Sequence, residues 1–137
     1  MPTLEQTQSE ILGEAAREAA GAAPVIKNLL ESAAFALQRG NMEEAHKLLV
    51  PTITSLTFIS QIMGTLESGM GERLSAIKIN GESVVSIQAR WLTSLEELKK
   101  SISSNDMVRT ADLLAYEVSS EFDSQVAILQ LLAEGHS

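Results

Sequence analysis

Residues 41–66 read NMEEAHKLLVPTITSLTFISQIMGTL, and the spacing of their apolar side chains decides the fold. These side chains recur at steps of three and four: Met42, Ala45, Leu48, Leu49, Ile53, Leu56, Ile59, Ile62, Met63 and Leu66. This is the period of a helix that buries one broad face. Pro51 lies inside the pattern, which continues in phase on both sides of it, so we expect a bend at Pro51 in an otherwise continuous helix.

Two further helices are predicted before this stretch. Residues 3–6, TLEQ, have the pattern of a capping box that opens a first helix, whose apolar stripe is largely alanine. Because such a thin stripe buries little apolar surface, we expect residues 1–23 to form a loosely docked N-terminal helix that opens first. Pro24 either starts a second helix or kinks a continuous one. Gly40 suits the left-handed position past the end of that helix, and Asn41 can cap the next one.

The chain after residue 66 is predicted to return to helices through a short link. Three glycines at positions 64, 69 and 71 are expected to loosen the end of the long helix. Residues 74–81, LSAIKING, form either a short hairpin around Asn80-Gly81 or only a link, and the link is favoured because two strands alone are marginally stable. A fourth helix is predicted from about Glu82 to Ser103. The sequence SSND at 103–106 then stops it and caps a final helix over residues 107–132.

Together these elements predict an all-α fold, an antiparallel bundle of four to five helices with up-down connections, in a single domain that spans residues 1–137. We expect the large core side chains to be Trp91, Phe58 and Phe122. The leucine stripes supply the rest of the core, and the four leucines expected to be buried are Leu49, Leu56, Leu95 and Leu114.

The two halves of the chain also resemble each other. A shift of 65 residues places Leu30 on Leu95, Asn41 on Asp106 and Leu49 on Leu114. Two helical hairpins with similar turns are therefore predicted, although any polar turn between packed helices would give part of this likeness.

Composition excludes several classes of function. The 137 residues contain no cysteine, which excludes disulfides and thiolate metal sites and agrees with the expectation of a cytoplasmic protein. The net charge of −8 repels phosphate backbones and anionic lipid, so we expect neither nucleic acid nor a membrane as a partner. The polar N-terminus is unlike a secretory signal, and the apolar stretches are expected to be too short to span a membrane.

The sharpest chemical signal is Glu43-x-x-His46, a spacing that places two metal ligands on one side of a helix in carboxylate-bridged di-iron bundles. Such bundles need a second pair, and the remaining histidine, His136, lies in a tail expected to fray. A solvated helix start is therefore favoured over a metal site at Glu43 and His46. No cofactor and no catalytic residue is expected.

Other polar side chains are explained by structure. The serines at 101, 103 and 104 near Asp106 have the composition of a helix cap. The acidic set Asp112, Glu117, Glu121 and Asp123 is expected on an exposed face. Tyr116 is expected to pack with its hydroxyl in water.

Two resemblances to known families concern the same helices. Residues 105–108, NDMV, and 111–118, ADLLAYEV, resemble a turn-and-helix signature of an uncharacterised family of small bacterial helical domains, in which a link like residues 77–81 precedes the fourth helix. That resemblance implies no activity. The order of helices and the turn GNMEEA at 40–45 are similar to flagellin export chaperones, which implies a bundle that wraps a disordered client.

We therefore expect a non-enzymatic protein-protein interaction domain, either a scaffold or a chaperone-like bundle, with a metal-binding bundle built on Glu43 and His46 as the alternative. The expected partner is a protein helix or a second copy of the chain. It would bind in an apolar groove that opening of the first helix exposes.

Overall fold

Helices make up most of residues 3–134, the part of the chain that the computed structural model describes. The elements in chain order are α1 (Leu4–Gly21), α2 (Ala23–Gln38), α3 (Met42–Ala76), β1 (Lys78–Ile79), β2 (Glu82–Ser83), α4 (Val84–Ser103), α5 (Met107–Asp112), a π-helical turn (Leu113–Glu117) and α6 (Val118–Glu134). The helices pack against one another as a bundle, which confirms the predicted all-α fold. Only Ala22 separates α1 from α2, and Pro24 lies in the first turn of α2, where its missing amide proton costs no hydrogen bond.

The long helix α3 is the central element, and it is longer than predicted. It is continuous through Pro51, and its helical dihedral angles are interrupted further on, at Met70 (φ −133°, ψ 29°). The glycines around this position do not end the helix, because the burial of Leu66, Met70 and Leu74 outweighs the ~1 kcal/mol that each glycine costs a helix.

Residues 48–66 carry no charged side chain, so α3 is long and apolar enough, by length and composition alone, to cross a membrane. The expectation that every apolar stretch is too short was therefore wrong for this helix. The core helix of a soluble bundle passes the same test.

The link between α3 and α4 is a short hairpin, contrary to the favoured prediction. Lys78 pairs with Ser83 and Ile79 with Glu82 in antiparallel register. Both turn residues between the strands have positive φ, 53° at residue 80 and 81° at residue 81. An Asn-Gly dipeptide supplies this pair of left-handed conformations at low cost, and the half-buried Ile79 packs against the core, so the two-residue strands do not stand alone.

The two helical hairpins have similar turns, and the shift of 65 residues relates several of their backbone hydrogen bonds. The left-handed residue is Gly40 in the first turn (φ 73°) and Asn105 in the second (φ 57°). The matching pairs of bonds are Gly40 N to Leu37 O (3.1 Å) with Asn105 N to Ile102 O (3.1 Å), and Asn41 N to Ala36 O (2.9 Å) with Asp106 N to Ser101 O (2.8 Å). The caps correspond too, because the side chain of Asn41 accepts from Glu44 N and that of Asp106 accepts from Arg109 N.

The π-helical turn at Leu113–Glu117 interrupts the final helix, which the sequence predicted to be regular. Before this turn, buried positions of α3 match those of the last helix by a shift of 65, as Leu49 matches Leu114. After it the shift is 66: Leu56 matches Phe122, Met63 matches Leu129 and Leu66 matches Leu132. The last helix therefore contains one residue more than α3 between matching core positions. The wider π turn accommodates this residue, so the buried face on both sides of it still points to the core.

Most of the predicted core is confirmed. Trp91 and Phe122 are both 1% exposed, and their ring centroids lie 6.4 Å apart. Phe58 is 44% exposed, so its assignment to the core was wrong, because it lies beside the stripe that Leu56 and Ile59 define. Among the four leucines, those at 49, 56 and 114 are buried, whereas Leu95 is only partly buried.

The first helix begins with the predicted capping box, in which Thr3 and Gln6 exchange side-chain and backbone hydrogen bonds. It packs against α3 and α6 through Leu12, Gly13, Ala16 and Ala19. Leu12 lies so close to Gly69 of α3 that a side chain at that position would overlap it. Arg17 donates from Nη2 to the carbonyl of Ala133 (3.3 Å), a free acceptor at the end of α6.

Because α1 buries one leucine and otherwise small residues, its amides at 4–21 should exchange hydrogen earlier than those of α6. The measurement is native-state hydrogen exchange followed by mass spectrometry or NMR. Equal protection of the two helices would mean that α1 is firmly docked and opens only on global unfolding.

Candidate interaction groove

The helices α3 and α4 pack against each other much less extensively than α2 and α3 do, and two cavities lie between them. The first cavity, about 510 Å³, lies between the C-terminal part of α3, β2 and the N-terminal part of α4. Its apolar lining consists of Leu74 of α3 and of Val84, Val85, Ala89 and Leu92 of α4, with Gly71 beside Leu74 on α3. The second cavity, about 190 Å³, is lined mainly by Ile53, Leu56, Ser60, Leu92, Leu95 and Leu98. Leu92 lines both cavities, and we call the two together the α3–α4 groove.

Small residues on α3 leave this space open. Ser60 and Gly71 both line the groove, and a Cβ atom built at Gly71 would meet nothing within 4 Å. The indole of Trp91 on α4 donates from Nε1 to the hydroxyl of Ser60 on α3 at 3.0 Å. The outer edge stays apolar, since Val85 is 81% and Leu92 is 56% exposed.

Each cavity includes one carboxylate among its lining residues. Glu67 lines the first cavity and Glu96 the second, where Lys99 is also present. Within residues 3–134 neither carboxylate makes a hydrogen bond or an ion pair. Gln88 lines the first cavity, and its Nε2 is buried with no hydrogen-bond partner among residues 3–134.

An ion-pair cluster fixes α4 from the side away from α3. Arg90 pairs with Glu82 of the hairpin, and its Nε donates to Glu121 of α6 at 3.0 Å. Glu82 also accepts a hydrogen bond from the Ser86 hydroxyl (2.7 Å). Because Glu121 is only 14% exposed on its side chain, its assignment to an exposed acidic face was wrong. The cluster ties the N-terminal half of α4 to α6 rather than to α3.

The other acidic residues of that set do not converge on one site. Asp112 and Glu117 are exposed as expected. Asp123 is exposed as well and pairs with Lys27 of α2 at 2.8 Å. Tyr116 is 68% exposed on the π turn, so the expectation that its ring packs was wrong.

Glu43 and His46 lie exposed in the first turns of α3. Glu43 is 3.5 Å from Lys47 in an ion pair along the helix. Among the residues that the structure describes, no group of three or more histidine, cysteine or acidic side chains could hold a metal ion. His136 lies outside the described residues.

The polar cluster at the second turn is a cap, as the sequence indicated. Asp106 Oδ1 accepts from Arg109 N at 3.1 Å. Ser101 and Thr110 are buried and share a hydrogen bond of 2.7 Å between their hydroxyls, which joins α4 to α5. These contacts give the serines a structural role.

The groove itself was not predicted, although the sequence contains a signal for it. Adjacent apolar pairs occur at 84–85 and 91–92, seven residues apart. Two neighbouring apolar residues cannot both face one partner helix, so the repeat indicates an apolar stripe wider than a single contact buries. In the structure Val84 and Trp91 face the core, and Val85 and Leu92 form the edge of the groove.

The chain matches, over residues 14–124, the family model described as a domain of unknown function (DUF8042), and because the match covers most of the chain, the protein belongs to that family. This membership confirms the resemblance to an uncharacterised family, and all residues that line the groove lie inside the matched range. No curated protein and no solved structure matches the chain significantly.

Proposed function

We propose that this member of the family is a non-enzymatic protein-interaction domain that receives a helix of a protein partner in the α3–α4 groove. The observation that carries the proposal is the pair of apolar cavities aligned between two helices. Protein interiors are normally close-packed, so the cavities represent apolar surface that the chain does not cover by itself. An amphipathic helix laid into such a groove fills it with side chains from one face.

The exposed edge of the groove supports the same function. Single exposed apolar residues are ordinary, but Val85 and Leu92 adjoin apolar cavities and extend them to the surface. A partner helix would therefore bury both the cavity walls and this edge. A scaffold or chaperone-like role follows, in which the bundle holds an apolar helix of a client away from water.

Binding in this groove does not require the first helix to open. The residues that line the two cavities come from α3, α4 and β2. The helix α1 packs on α3 and α6. The proposal therefore replaces the expected groove beneath α1 with one between α3 and α4.

Affinity capture from the native organism, followed by mass spectrometry, tests the proposal with two matched variants. Val85→Glu places a charge at the edge of the groove. Val108→Glu places the same charge at a similarly exposed valine of α5, 76% against 81% exposed. We expect proteins captured by the wild type to be kept by Val108→Glu and lost by Val85→Glu, because a carboxylate in an apolar contact must be desolvated without a partner.

The same set of captured proteins for all three chains would contradict the proposal. Sedimentation of the purified chain identifies the case in which the partner is a second copy, since Val85→Glu would then dissociate a dimer that Val108→Glu leaves intact. Circular dichroism of both variants establishes that each remains folded.

A further inference from the structure

The α3–α4 groove has a length, a periodicity and a charge that restrict which helix it fits. We propose that its occupant is a basic amphipathic helix that inserts two large apolar side chains, seven or eleven residues apart, into the two cavities. This inference rests on the proposed function and adds the chemistry of the partner.

The spacing follows from the walls of the two cavities. Along α4 the first cavity extends from Val84 to Leu92 and the second from Leu92 to Lys99. Their centres are thus about two helical turns apart on α4, at ~1.5 Å per residue, and further apart on the kinked α3. Side chains seven or eleven residues apart lie on one face of a helix, two or three turns from each other. An elongated occupant with two anchors fits this arrangement better than one compact molecule in a single cavity.

The charge follows from the carboxylates in the groove. Among residues 3–134, Glu67 and Glu96 supply one unpaired carboxylate to each cavity, and Lys99 is the single cation in the lining. The net charge of the chain is −8, which attracts a basic segment at long range. Lysine or arginine beside each anchor would pair with these carboxylates at the edge of the contact, and such pairs favour one partner over others.

Synthetic 18-residue helical peptides without tryptophan test the spacing. Each carries two leucine anchors and flanking lysines on an alanine background, with the second anchor seven, nine or eleven residues after the first. The fluorescence of Trp91, the single tryptophan of the chain, reports on binding in the α3–α4 groove because its indole hydrogen-bonds from α4 to Ser60 of α3. We expect the seven- and eleven-residue peptides to bind at least tenfold more tightly than the nine-residue peptide, in which the second leucine faces the other way.

Charge is tested with two double variants that change the net charge equally. Replacing Glu67→Gln and Glu96→Gln should weaken the lysine peptide at least fivefold. The matched control, Glu43→Gln with Glu44→Gln, changes exposed carboxylates at the start of α3 and should leave the affinity unchanged.

Equal binding of all three peptides, equal effects of the two double variants, or no binding of any peptide would overturn the inference. The proposed function is judged separately, because capture that depends on Val85 with a partner of different spacing or charge would leave it standing. Capture that does not depend on Val85 would contradict both the proposed function and this inference.

Discussion

Replacement of Trp91 by alanine is expected to lower the free energy of unfolding by about 3–5 kcal/mol, the usual cost of removing a large aromatic side chain from a core. Trp91 is 1% exposed and packs against Phe122. Its Nε1 donates to Ser60, so the variant also removes the hydrogen bond that joins α3 and α4 across the groove. Because those two helices otherwise make little contact, few neighbouring side chains can collapse into the space that the indole leaves.

The neighbouring residue provides the control for this measurement. Leu92 is 56% exposed, and Leu92→Ala should cost less than ~1 kcal/mol, since exposed side chains lose little on truncation. Urea unfolding followed by circular dichroism measures both variants without tryptophan fluorescence. Similar decreases in the free energy of unfolding for the two variants would show that the indole of Trp91 does not hold α3 and α4 together.

The turns and caps could be read from the sequence because each depends on a few adjacent residues. Thr3, Asn41 and Asp106 cap helices as predicted, and Gly40 has the positive φ that its position after a helix requires. These features follow from local chemistry, in which one side chain satisfies a nearby backbone amide. The order of helices and the all-α class follow from the same local patterns.

The features that sequence reasoning missed depend on contacts between distant segments. The end of α3 extends through its glycines because Met70 and Leu74 are buried by other helices. The hairpin at 78–83 forms because Glu82 and Ile79 have partners on α4 and in the core. Gln125 is fully buried, and neither atom of its amide group has a hydrogen-bond partner among the residues that the structure describes. No local pattern indicates such burial.

The groove belongs to the same class of feature. The apolar pairs at 84–85 and 91–92 are a signal of a wide apolar stripe on α4, but which part of it another helix covers depends on how far apart α3 and α4 lie. Trp91 donates to Ser60 of α3 from one side of α4, and Arg90 pairs with Glu82 and Glu121 on the other. None of these contacts joins residues close in the chain except Glu82 and Arg90.

The π turn leads to a comparison of two deletions, one expected to be tolerated and one expected to prevent folding. Deletion of Tyr116 should leave the free energy of unfolding within about 1 kcal/mol of the wild type, because removing one residue converts the wide turn into an ordinary α-helical one. The buried faces on either side would keep their positions, since the shift between α3 and the last helix changes from 65 to 66 at this turn alone. Tyr116 itself is 68% exposed, so little packing is lost with it.

Deletion of the exposed Gln61 from α3 is the matched experiment, because α3 contains no wide turn that could absorb the change. One half of α3 would rotate by ~100° relative to the other, and buried residues such as Met63 and Leu66 would leave the core. Each lost core side chain costs ~2–5 kcal/mol against a total stability of ~5–15 kcal/mol, so cooperative folding should be lost. Thermal unfolding followed by circular dichroism compares the two deletions. If the chain without Tyr116 unfolds as readily as the chain without Gln61, the π turn is required by the fold and is not an absorbed insertion.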